Sequence, residues 1–581
     1  MSKVNPDNIE AYECKHVFYA PSTESKNDDL VFIKERLHLK DGTTVPNTRM
    51  LSNPKRTFYV TKKGKRNHEQ KKLFEKLSNV NAYTTTQSRL STDVAKALGN
   101  PGYNPGLRQL AKSPYLYGTD VSMEALTKYK YMTKYPKAIT PNTVAVLDIE
   151  TDIRQNNEVI LSCALTFKSH AVLAVYAPWV EEIDDVEGKV KAAAKKYLSD
   201  IPDDGTGEKN DYCGDVWGRR NIDLEVVLCK TSGECAKVCI DRAHTWMPDF
   251  IAIWNIDFDL PKIMTRCELD GINLADMFSD PKVPPAYRFA NYIRGNKTRE
   301  TASGKKMNLA PAEQWHRFTS PASFFMIDAM CVYRIIRAAK GLDPSYALDA
   351  ILTKELGVRK LKFSQADHCT AGYEWHAFMQ ANYKIEYLVY NLFDCISVEM
   401  LDEKEKDLST TINNNSKQSE YTIFPRQPKR TSYSLHFYAL DKGMVIASTP
   451  PEIAVEDDKE VVSTDGHIIT LSTHLVDDNG LKCLKDYPDL TTYLRAFVFD
   501  LDVSSAYPNS EICFNISKET TLRELCAVQG VSEGIKRRAA MNLTMPRQNA
   551  SEICQDILGS PSLPKLLKQY EADKAKKDIT V

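Results

Sequence analysis

The stretch that decides the fold is Thr143-Val-Ala-Val-Leu-Asp-Ile-Glu150, an apolar run that ends in two acidic residues. Its β-branched residues favour a β-strand. Two further apolar runs follow, from Glu158 to Phe167 and from His170 to Ala177. Only Lys168-Ser169 separates them, and such a short polar break between two apolar runs predicts a hairpin. Three strands in a meander are therefore expected around the acidic pair.

The segment after this meander predicts further strands that alternate with helices. Leu224 to Cys229 predicts a fourth strand, and Thr231 and Glu234 have capping-box spacing at the start of a helix. Pro248 ends that helix, and Phe250 to Trp254 predicts a buried strand. This order predicts an α/β fold with a sheet of the ribonuclease-H-like kind. The polar stretch at 181–222 is expected to be a surface insertion, and 408–430 a linker.

Length and charge limit the classes of protein that fit. A chain of 581 residues predicts about three or four domains. The net charge of −1 excludes a generally basic nucleic-acid-binding protein, so any DNA contact must come from local patches. The candidate patches are Lys55, Arg56, Lys62, Lys63, Lys65, Arg66, Lys71 and Lys72, then Arg294, Lys297 and Arg299, then Arg426, Lys429 and Arg430. No run approaches the roughly 20 apolar residues of a membrane span, so we expect a cytoplasmic protein with no membrane partner.

Three short motifs place acidic side chains along the chain: Asp148-x-Glu150, Asn255-x-x-Phe258-Asp259 and Tyr390-x-x-x-Asp394. Asp148 and Glu150 lie two apart on one strand, so their side chains point to the same face. Tyr390 and Asp394 lie four apart on a helix, so they also share a face. Asp259 is expected at the end of a buried strand, where the termini of a sheet gather ligands.

Four carboxylates that converge with no lysine or arginine between them would repel one another strongly. Oxygen ligands of this kind suit Mg²⁺ or Mn²⁺. Two ions roughly 4 Å apart would activate a water and stabilise the leaving oxygen in phosphodiester hydrolysis. We expect Tyr390 to orient the attacking water.

In this order the three motifs resemble the proofreading 3′–5′ exonuclease domain of family B DNA polymerases. The segment from Trp254 to Pro261 looks most like the replicative polymerases of large tailed phages. The resemblance implies that the metal ligands are Asp148, Glu150, Asp259 and Asp394. It also implies that Asn255 and Phe258 position the 3′ end of a frayed strand. Asp257 is left out of the metal set, because on a strand its face would alternate with that of Phe258.

A second acidic motif, Asp502-Val-Ser-Ser-Ala-Tyr-Pro508, resembles the first palm motif of the same polymerases, D-x-x-S-x-Y-P. The resemblance implies that Asp502 binds two catalytic metal ions and that the Val503 carbonyl ligates the ion of the nucleotide. Ser505 and Tyr507 belong to the substrate site, where Tyr507 stacks under the deoxyribose and excludes a 2′-hydroxyl. Ala506 departs from the family, which usually has leucine there, and this departure would alter packing behind the sugar.

The residues after Pro508 contain neither the second palm carboxylate nor the fingers helix of the family. One aspartate without its partner cannot organise two-metal transfer, so this chain alone is not expected to make DNA. Either it is the N-terminal piece of a polymerase split between two polypeptides, or it is a relic kept as a stand-alone exonuclease. The amphipathic segment with Leu563, Leu566, Leu567 and Tyr570 favours the first alternative, although packing on its own palm fragment explains it equally well.

The expected organisation is an N-terminal domain at 1–140 completed by 406–493, an exonuclease domain at 141–405, and a partial palm with a C-terminal helical tail at 494–581. The expected function is the proofreading portion of a phage family B DNA polymerase, in the host cytoplasm, with two Mg²⁺ or Mn²⁺ ions per site. Its expected partners are primer-template DNA, single-stranded 3′ ends, a second polymerase chain that enables dNTP use, and, as a further candidate, a sliding clamp. The competing alternatives are a non-catalytic DNA-binding replication scaffold and an RNA-directed nuclease.

Overall fold

The computed structural model describes residues 5–446, except 69–71, 73, 103–105, 203–211, 301–304, 310–313, 339–342, 413–415 and 417. The chain divides into two compact units, Met1–Pro451 and Glu452–Val581. The predicted palm residues Asp502, Val503, Ser505 and Tyr507 and the segment from Leu563 to Tyr570 lie outside the described residues. The described part is a mixed α/β structure, and the coarse fold class is therefore confirmed.

The strands of the described residues are β1 (Ile9–Pro21), β2 (Asp29–Leu39), β3 (Thr44–Ser52), β4 (Arg56–Thr61), β5 (Phe74–Lys76), β6 (Val80–Thr85), β7 (Leu116–Tyr117), β8 (Val144–Thr151), β9 (Ile160–Phe167), β10 (His170–Tyr176), β11 (Asp223–Cys229), β12 (Phe250–Ile253), β13 (Asn291–Ile293), β14 (Thr298–Glu300), β15 (Lys306–Asn308), β16 (Arg317–Thr319), β17 (Phe325–Asp328) and β18 (Met444–Ile446). The α-helices of the same residues are α1 (Leu90–Leu98), α2 (Leu107–Leu110), α3 (Met123–Lys134), α4 (Val186–Leu198), α5 (Val216–Arg220), α6 (Ser232–Trp246), α7 (Ile256–Leu269), α8 (Leu274–Phe278), α9 (Ala329–Ile336), α10 (Leu348–Leu356), α11 (Gly372–Asn382), α12 (Lys384–Glu405) and α13 (Gln427–Asp441). None of these helices is both long and apolar enough to cross a bilayer.

The largest sheet contains six strands in the order β11-β10-β9-β8-β12-β17. β9 runs antiparallel to both β8 and β10, whereas β12 runs parallel to β8 and β17. The predicted hairpin between β9 and β10 is confirmed, and Lys168 in its turn has a positive φ of 60°. Because β8 and β12 are parallel neighbours, their carboxyl ends meet at one edge of the sheet.

Helix α12 packs against β8 and β9 on one face of this sheet. Its residues from Tyr387 to Asp402 are buried on every side, as expected of a helix that lies inside a core. Helices α6 and α7 contribute to a second apolar core with other residues of the sheet. The sheet is therefore covered on both faces, and α12 carries its polar side chains into the interior.

Two of the expected surface segments contribute to the core instead. In the predicted insertion at 181–222, α4 buries Val186, Val190 and Ala194 and packs against α12. In the predicted linker at 408–430, the Tyr421 ring lies 4.9 Å from the Phe250 ring, centroid to centroid. Polar residues outnumber the apolar ones that make these contacts: acids and lysines in 181–222, and Asn, Ser, Thr and Gln together with basic residues in 408–430. The apolar spacing of four residues in α4 was a helical signal.

The N-terminal residues form two three-stranded antiparallel sheets, β1-β2-β3 and β6-β4-β7. A buried ion pair between Arg36 on β2 and Asp249 before β12 joins the first of them to the central sheet. β18 pairs with β5 in a separate two-stranded antiparallel sheet, so a strand near residue 445 is bonded to the N-terminal part of the chain. The predicted domain boundaries themselves remain predictions.

Candidate functional site

A cavity of about 400 Å³ opens where β8 and β12 end. Its lining includes every residue predicted for the first acidic site, namely Asp148, Glu150, Asn255, Phe258, Asp259, Tyr390 and Asp394. These residues come from a strand, from the start of α7 and from the middle of α12. The fold therefore brings together three motifs that are far apart in sequence.

Three of the carboxylates form a tight cluster. Asp148, Glu150 and Asp394 each offer an oxygen atom, and these atoms lie within 4.8 Å of one another. Opposite ligands of an octahedral Mg²⁺ ion lie about 4.2 Å apart, twice the usual metal–oxygen distance. Asp259 is buried beside this cluster and interacts electrostatically with Asp148 and Glu150. The set has the composition and nearly the spacing that a hard divalent cation requires.

Without a cation these carboxylates are costly to ionise. Burial and the neighbouring Asp394 raise the pKa of Asp148 to about 7. Burial and Asp148 raise the pKa of Glu150 to about 8. Burial, Asp148 and Glu150 also hold the pKa of Asp259 well above its usual value. Because metal ligands must be deprotonated, a bound cation would displace protons from this cluster.

One buried acceptor in the cluster also points to a cation. Among the described residues, the Oδ1 atom of Asp394 is buried and has no hydrogen-bond partner. A buried carboxylate oxygen without a partner is uncommon and needs an explanation. A divalent cation would satisfy it, so the residues fit a Mg²⁺ or Mn²⁺ site.

The expectation that no lysine lies among the carboxylates is wrong. Lys360 Nζ donates to Asp394 Oδ2 at 2.5 Å and to the Tyr390 hydroxyl at 3.0 Å. Burial lowers the pKa of Lys360, but Asp394 and Tyr390 outweigh it and hold this pKa well above the usual value. The ammonium therefore stays charged and neutralises part of the cluster. Lys360 belongs to no recognisable spacing, so only the folded chain reveals it.

The buried strand predicted from Phe250 to Trp254 is confirmed as β12, but the motif that follows it is helical, and the expectation that Asp257 and Phe258 lie on a strand is wrong. Asn255 occupies the N-cap position of α7, so Asp257, Phe258 and Asp259 lie in the first turns of that helix. Asp259 faces the cavity, whereas Asp257 Oδ1 accepts from Arg294 Nε at 2.5 Å. Asp257 is thus outside the metal set because it is paired elsewhere, and strand alternation is not the reason.

The mouth of the cavity carries an exposed aromatic ring. Phe258 is 44% exposed, although large apolar side chains are usually buried. The Lys262 ammonium lies 3.5 Å from the centre of this ring, which suits a cation–π contact. An exposed ring next to a cation can stack on a nucleobase while the cation attracts a phosphate.

Helix α12 contributes four polar side chains to this region, at helical spacing: Tyr387, Tyr390, Asn391 and Asp394. Two of them, Tyr387 and Asn391, were not predicted. Tyr387 donates to Glu150 and Asn391 donates to Asp148. Their positions three residues before Tyr390 and Asp394, on the same helical face, were the available signal.

Two of the predicted basic patches are less available to DNA than expected. Arg56 is buried, and its guanidinium donates to the carbonyl oxygens of Gly118 and Val121. Arg294 is paired with Asp257. The placement of Arg56 in a DNA-facing patch is therefore wrong, because its charge serves to hold the N-terminal fold.

No family model and no curated protein matches this chain. What the residues themselves define is a buried acidic site at a sheet edge, with one lysine inside it and one exposed aromatic ring at its mouth.

Proposed function

We propose that this chain is a 3′–5′ exonuclease that uses Mg²⁺ or Mn²⁺ to degrade single-stranded DNA ends. The observation that carries the proposal is the convergence of four carboxylates from three separate motifs around one cavity. Clustered carboxylates are the usual ligands of the two-metal sites that cleave phosphodiesters. A stand-alone structural role would not require so many acids in a place where burial raises their pKa values.

The topology supports a ribonuclease-H-like fold for this part of the chain. β8, β9 and β10 form an antiparallel meander, and β12 and β17 extend the sheet in parallel with β8. Helices cover both faces, and the acidic residues gather at the carboxyl ends of β8 and β12. This is the arrangement expected for such a nuclease domain.

The roles of the side chains follow from their positions. Asp148, Glu150, Asp259 and Asp394 would hold two ions, and these ions, when bound, supply charge stabilisation and a water of lowered pKa. The Tyr390 hydroxyl, beside Lys360, is placed to orient the attacking water. The Lys360 ammonium stands where it can stabilise negative charge on the scissile phosphate. Phe258 would stack on the terminal base and hold the 3′ end at the cavity.

We further propose that the nuclease is the proofreading portion of a family B DNA polymerase of phage DNA replication. Support comes from the order of the motifs in the sequence and from Asp502 and Tyr507, which match the first palm motif. A second chain would supply the second palm carboxylate, the fingers and the thumb. Primer extension should then appear only when that chain is added, and Asp502→Ala should abolish it. Extension that does not depend on Asp502 would contradict the palm assignment.

The test of the nuclease is degradation of a 3′-labelled single strand in Mg²⁺. The double variant Asp148→Ala/Glu150→Ala should lose the activity, and so should the wild type in the presence of a chelator. Asp259→Asn and Asp257→Asn form a matched pair, because both remove one charge from the same helix turn but only Asp259 faces the cavity. We expect Asp259→Asn to lose at least about 100-fold and Asp257→Asn to stay within about threefold.

Two results would contradict the proposal. If the Asp148→Ala/Glu150→Ala variant degrades DNA as the wild type does, the metal-site assignment fails. If purified wild type shows no metal-dependent degradation of either DNA or RNA, a non-catalytic scaffold is the better description. Parallel assays with RNA of the same sequence separate a DNA exonuclease from an RNA-directed nuclease.

A further inference from the structure

The two carboxylates on β8 are each held by a side chain of α12. Tyr387 and Asn391 lie four residues apart, so they project from the same face of the helix. That face also carries Asp394 at the next turn. One helix therefore provides one carboxylate of the cluster and touches the other two.

Tyr387 binds Glu150 through its hydroxyl, whose one donor position and two acceptor positions all have partners. The hydroxyl donates to Glu150 Oε2 and accepts from Gln380 Nε2 at 3.0 Å. His376 Nδ1 lies 2.8 Å from the same oxygen. Since a phenol has one proton, and an ionised Glu150 must receive it, His376 donates from Nδ1. Tyr387 is also completely buried, so its hydroxyl is fixed from several directions.

Asn391 binds Asp148 through a side-chain amide that is hydrogen-bonded at both ends. Its Nδ2 donates to Asp148 Oδ2 at 2.7 Å, and its Oδ1 accepts from Ser162 Oγ at 3.0 Å. Ser162 is on β9, so the Asn391 amide is bonded at one end to Ser162 and at the other end to Asp148. An ionised carboxylate only accepts hydrogen bonds, so Asp148 fixes which end of the amide faces it, and the Ser162 hydroxyl then donates to the other end.

We propose that Tyr387 and Asn391 are positioning residues, which hold Glu150 and Asp148 in the orientation that binds a divalent cation. Partners of this kind fix the rotamer of a ligand before the cation arrives, and their loss typically costs about 10–100-fold in metal affinity or activity. The inference rests on the proposed function, since it deepens the same site. Cation binding can nevertheless be measured without DNA.

The main test is Mn²⁺ binding to the full chain, measured by electron paramagnetic resonance in the absence of DNA. Tyr387→Phe keeps the ring and removes only the hydroxyl. We expect its Kd for Mn²⁺ to rise about 10–100-fold, together with the Mg²⁺ concentration for half-maximal nuclease activity. At saturating Mg²⁺ the kcat should return to within about threefold of wild type, because Tyr387 acts through ligand placement.

A matched control is Tyr131→Phe. The Tyr131 hydroxyl donates to Glu35 Oε2 at 2.6 Å, so this variant removes a bond of the same kind outside the cavity. Its Mn²⁺ affinity should equal that of wild type. A loss in both variants would show a general effect on the fold and would overturn the positioning role.

A second variant keeps the test decisive if Tyr387→Phe does not fold. Ser162→Ala removes the hydroxyl that donates to Asn391 Oδ1 and helps to hold the amide in place, and we expect about 3–10-fold weaker Mn²⁺ binding. In a Glu150→Ala background, Tyr387→Phe should cause no further loss, because its effect passes through Glu150. Mn²⁺ affinity within twofold of wild type in every one of these two variants that folds would overturn the inference.

The outcomes separate this inference from the proposed function. If wild type binds Mn²⁺ but degrades no nucleic acid, the nuclease proposal fails and the Mn²⁺ affinities still decide the role of Tyr387. If wild type degrades DNA and Tyr387→Phe keeps its Mn²⁺ affinity and Mg²⁺ dependence, only the positioning role fails. If wild type binds no Mn²⁺, the positioning role is overturned.

Discussion

Replacing Asp249 by asparagine should destabilise the fold strongly, because this residue joins two parts of the described chain. Its side chain is 2% exposed and pairs with Arg36, which is 9% exposed. Asp249 Oδ2 also accepts from the Thr143 backbone N–H at 2.8 Å. Arg36 lies on β2 of the N-terminal sheet, whereas Thr143 precedes β8 and Asp249 precedes β12. The Asp249 carboxylate thus bonds β2 to the residues at which β8 and β12 begin, and these two strands lead to the acidic cavity.

The expected loss follows from what Asp249→Asn leaves behind. The Arg36 charge stays buried without its counter-charge, and breaking a buried pair in this way costs about 3–5 kcal/mol. In addition, Asp249 Oδ1 has no hydrogen-bond partner among the described residues. An amide NH₂ at that position would be a buried donor without an acceptor, so asparagine is not a conservative replacement. We therefore expect the free energy of unfolding to fall by about 3–5 kcal/mol.

Urea unfolding followed by far-ultraviolet circular dichroism measures this loss. The double variant Arg36→Met/Asp249→Asn should be more stable than Asp249→Asn alone, because it removes the buried Arg36 charge that the single variant leaves unpaired. Lys191→Met is the matched exposed control, since its pair with Glu187 is 43% and 58% exposed. It should change stability by less than about 0.5 kcal/mol. A loss below about 1 kcal/mol for Asp249→Asn, or a double variant less stable than the single one, would refute the reasoning.

Three further predictions concern substrate, catalysis and pH. Phe258→Ala should raise the KM for single-stranded DNA about 10-fold or more with little change in kcat, because stacking on a base is worth about 1–3 kcal/mol. As a control, Phe74→Ala removes another exposed ring and should leave the KM unchanged. Lys360→Met should lower the single-turnover rate about 10–100-fold, as expected for the loss of a charge-assisted hydrogen bond. As a control, Lys362 lies on the same segment but is exposed, and Lys362→Met should leave this rate unchanged. Burial lowers the pKa of His16 to about 3, so between pH 3 and 6.5 the unfolded chain binds a proton that the folded chain does not. His16 alone should therefore lower stability by about 2 kcal/mol from pH 7 to pH 5. The other buried groups titrate in both proteins, so the free energy of unfolding of His16→Phe, measured in urea, should rise by about 2 kcal/mol relative to that of wild type over this range, and an unchanged difference would contradict the assignment.

The outer two motifs of the acidic site were predictable because each follows a simple period. Asp148 and Glu150 share a face by strand alternation, and Tyr390 and Asp394 share a face by helical spacing. The packing of α12 on β8 then brings these faces together. Nothing in the prediction required knowledge of distant contacts, and the structure places these residues around one cavity.

The middle motif was misjudged because two local signals conflict there. Asn255 followed by Asp257 and Asp259 is typical of a helix N-terminus, with a capping residue and acids in the first turn. Pro261, however, lies inside α7, where a proline removes a backbone hydrogen bond. A proline in this position weakens the helical signal, and the expectation of a strand rests on the buried run before Asn255. Helix packing against the sheet overrides the cost of one missing bond.

The contact of Lys360 with the acidic cluster could not be predicted from any sequence motif. It is separated from Asp394 by 34 positions and belongs to no periodic pattern, so its contact is made only by the tertiary fold. The acidic motifs by themselves predict a set of carboxylates with no counter-charge. In the folded chain the Lys360 ammonium reduces the repulsion between these carboxylates before any metal ion binds.

This lysine also bears on how many ions the site would hold. Among the residues that line the cavity, four ionised carboxylates and the Lys360 ammonium leave a net charge of three negatives, and the Lys262 ammonium lies outside this lining, beside the exposed Phe258 ring. One divalent cation would still leave the site negative, and a DNA phosphate would then be repelled. Two divalent cations would leave one positive charge, which a single phosphodiester neutralises. The burial that raises the pKa values of Asp148 and Glu150 makes uncompensated charge costly here. Charge balance around Lys360 therefore favours two ions with one bound phosphate over one ion alone.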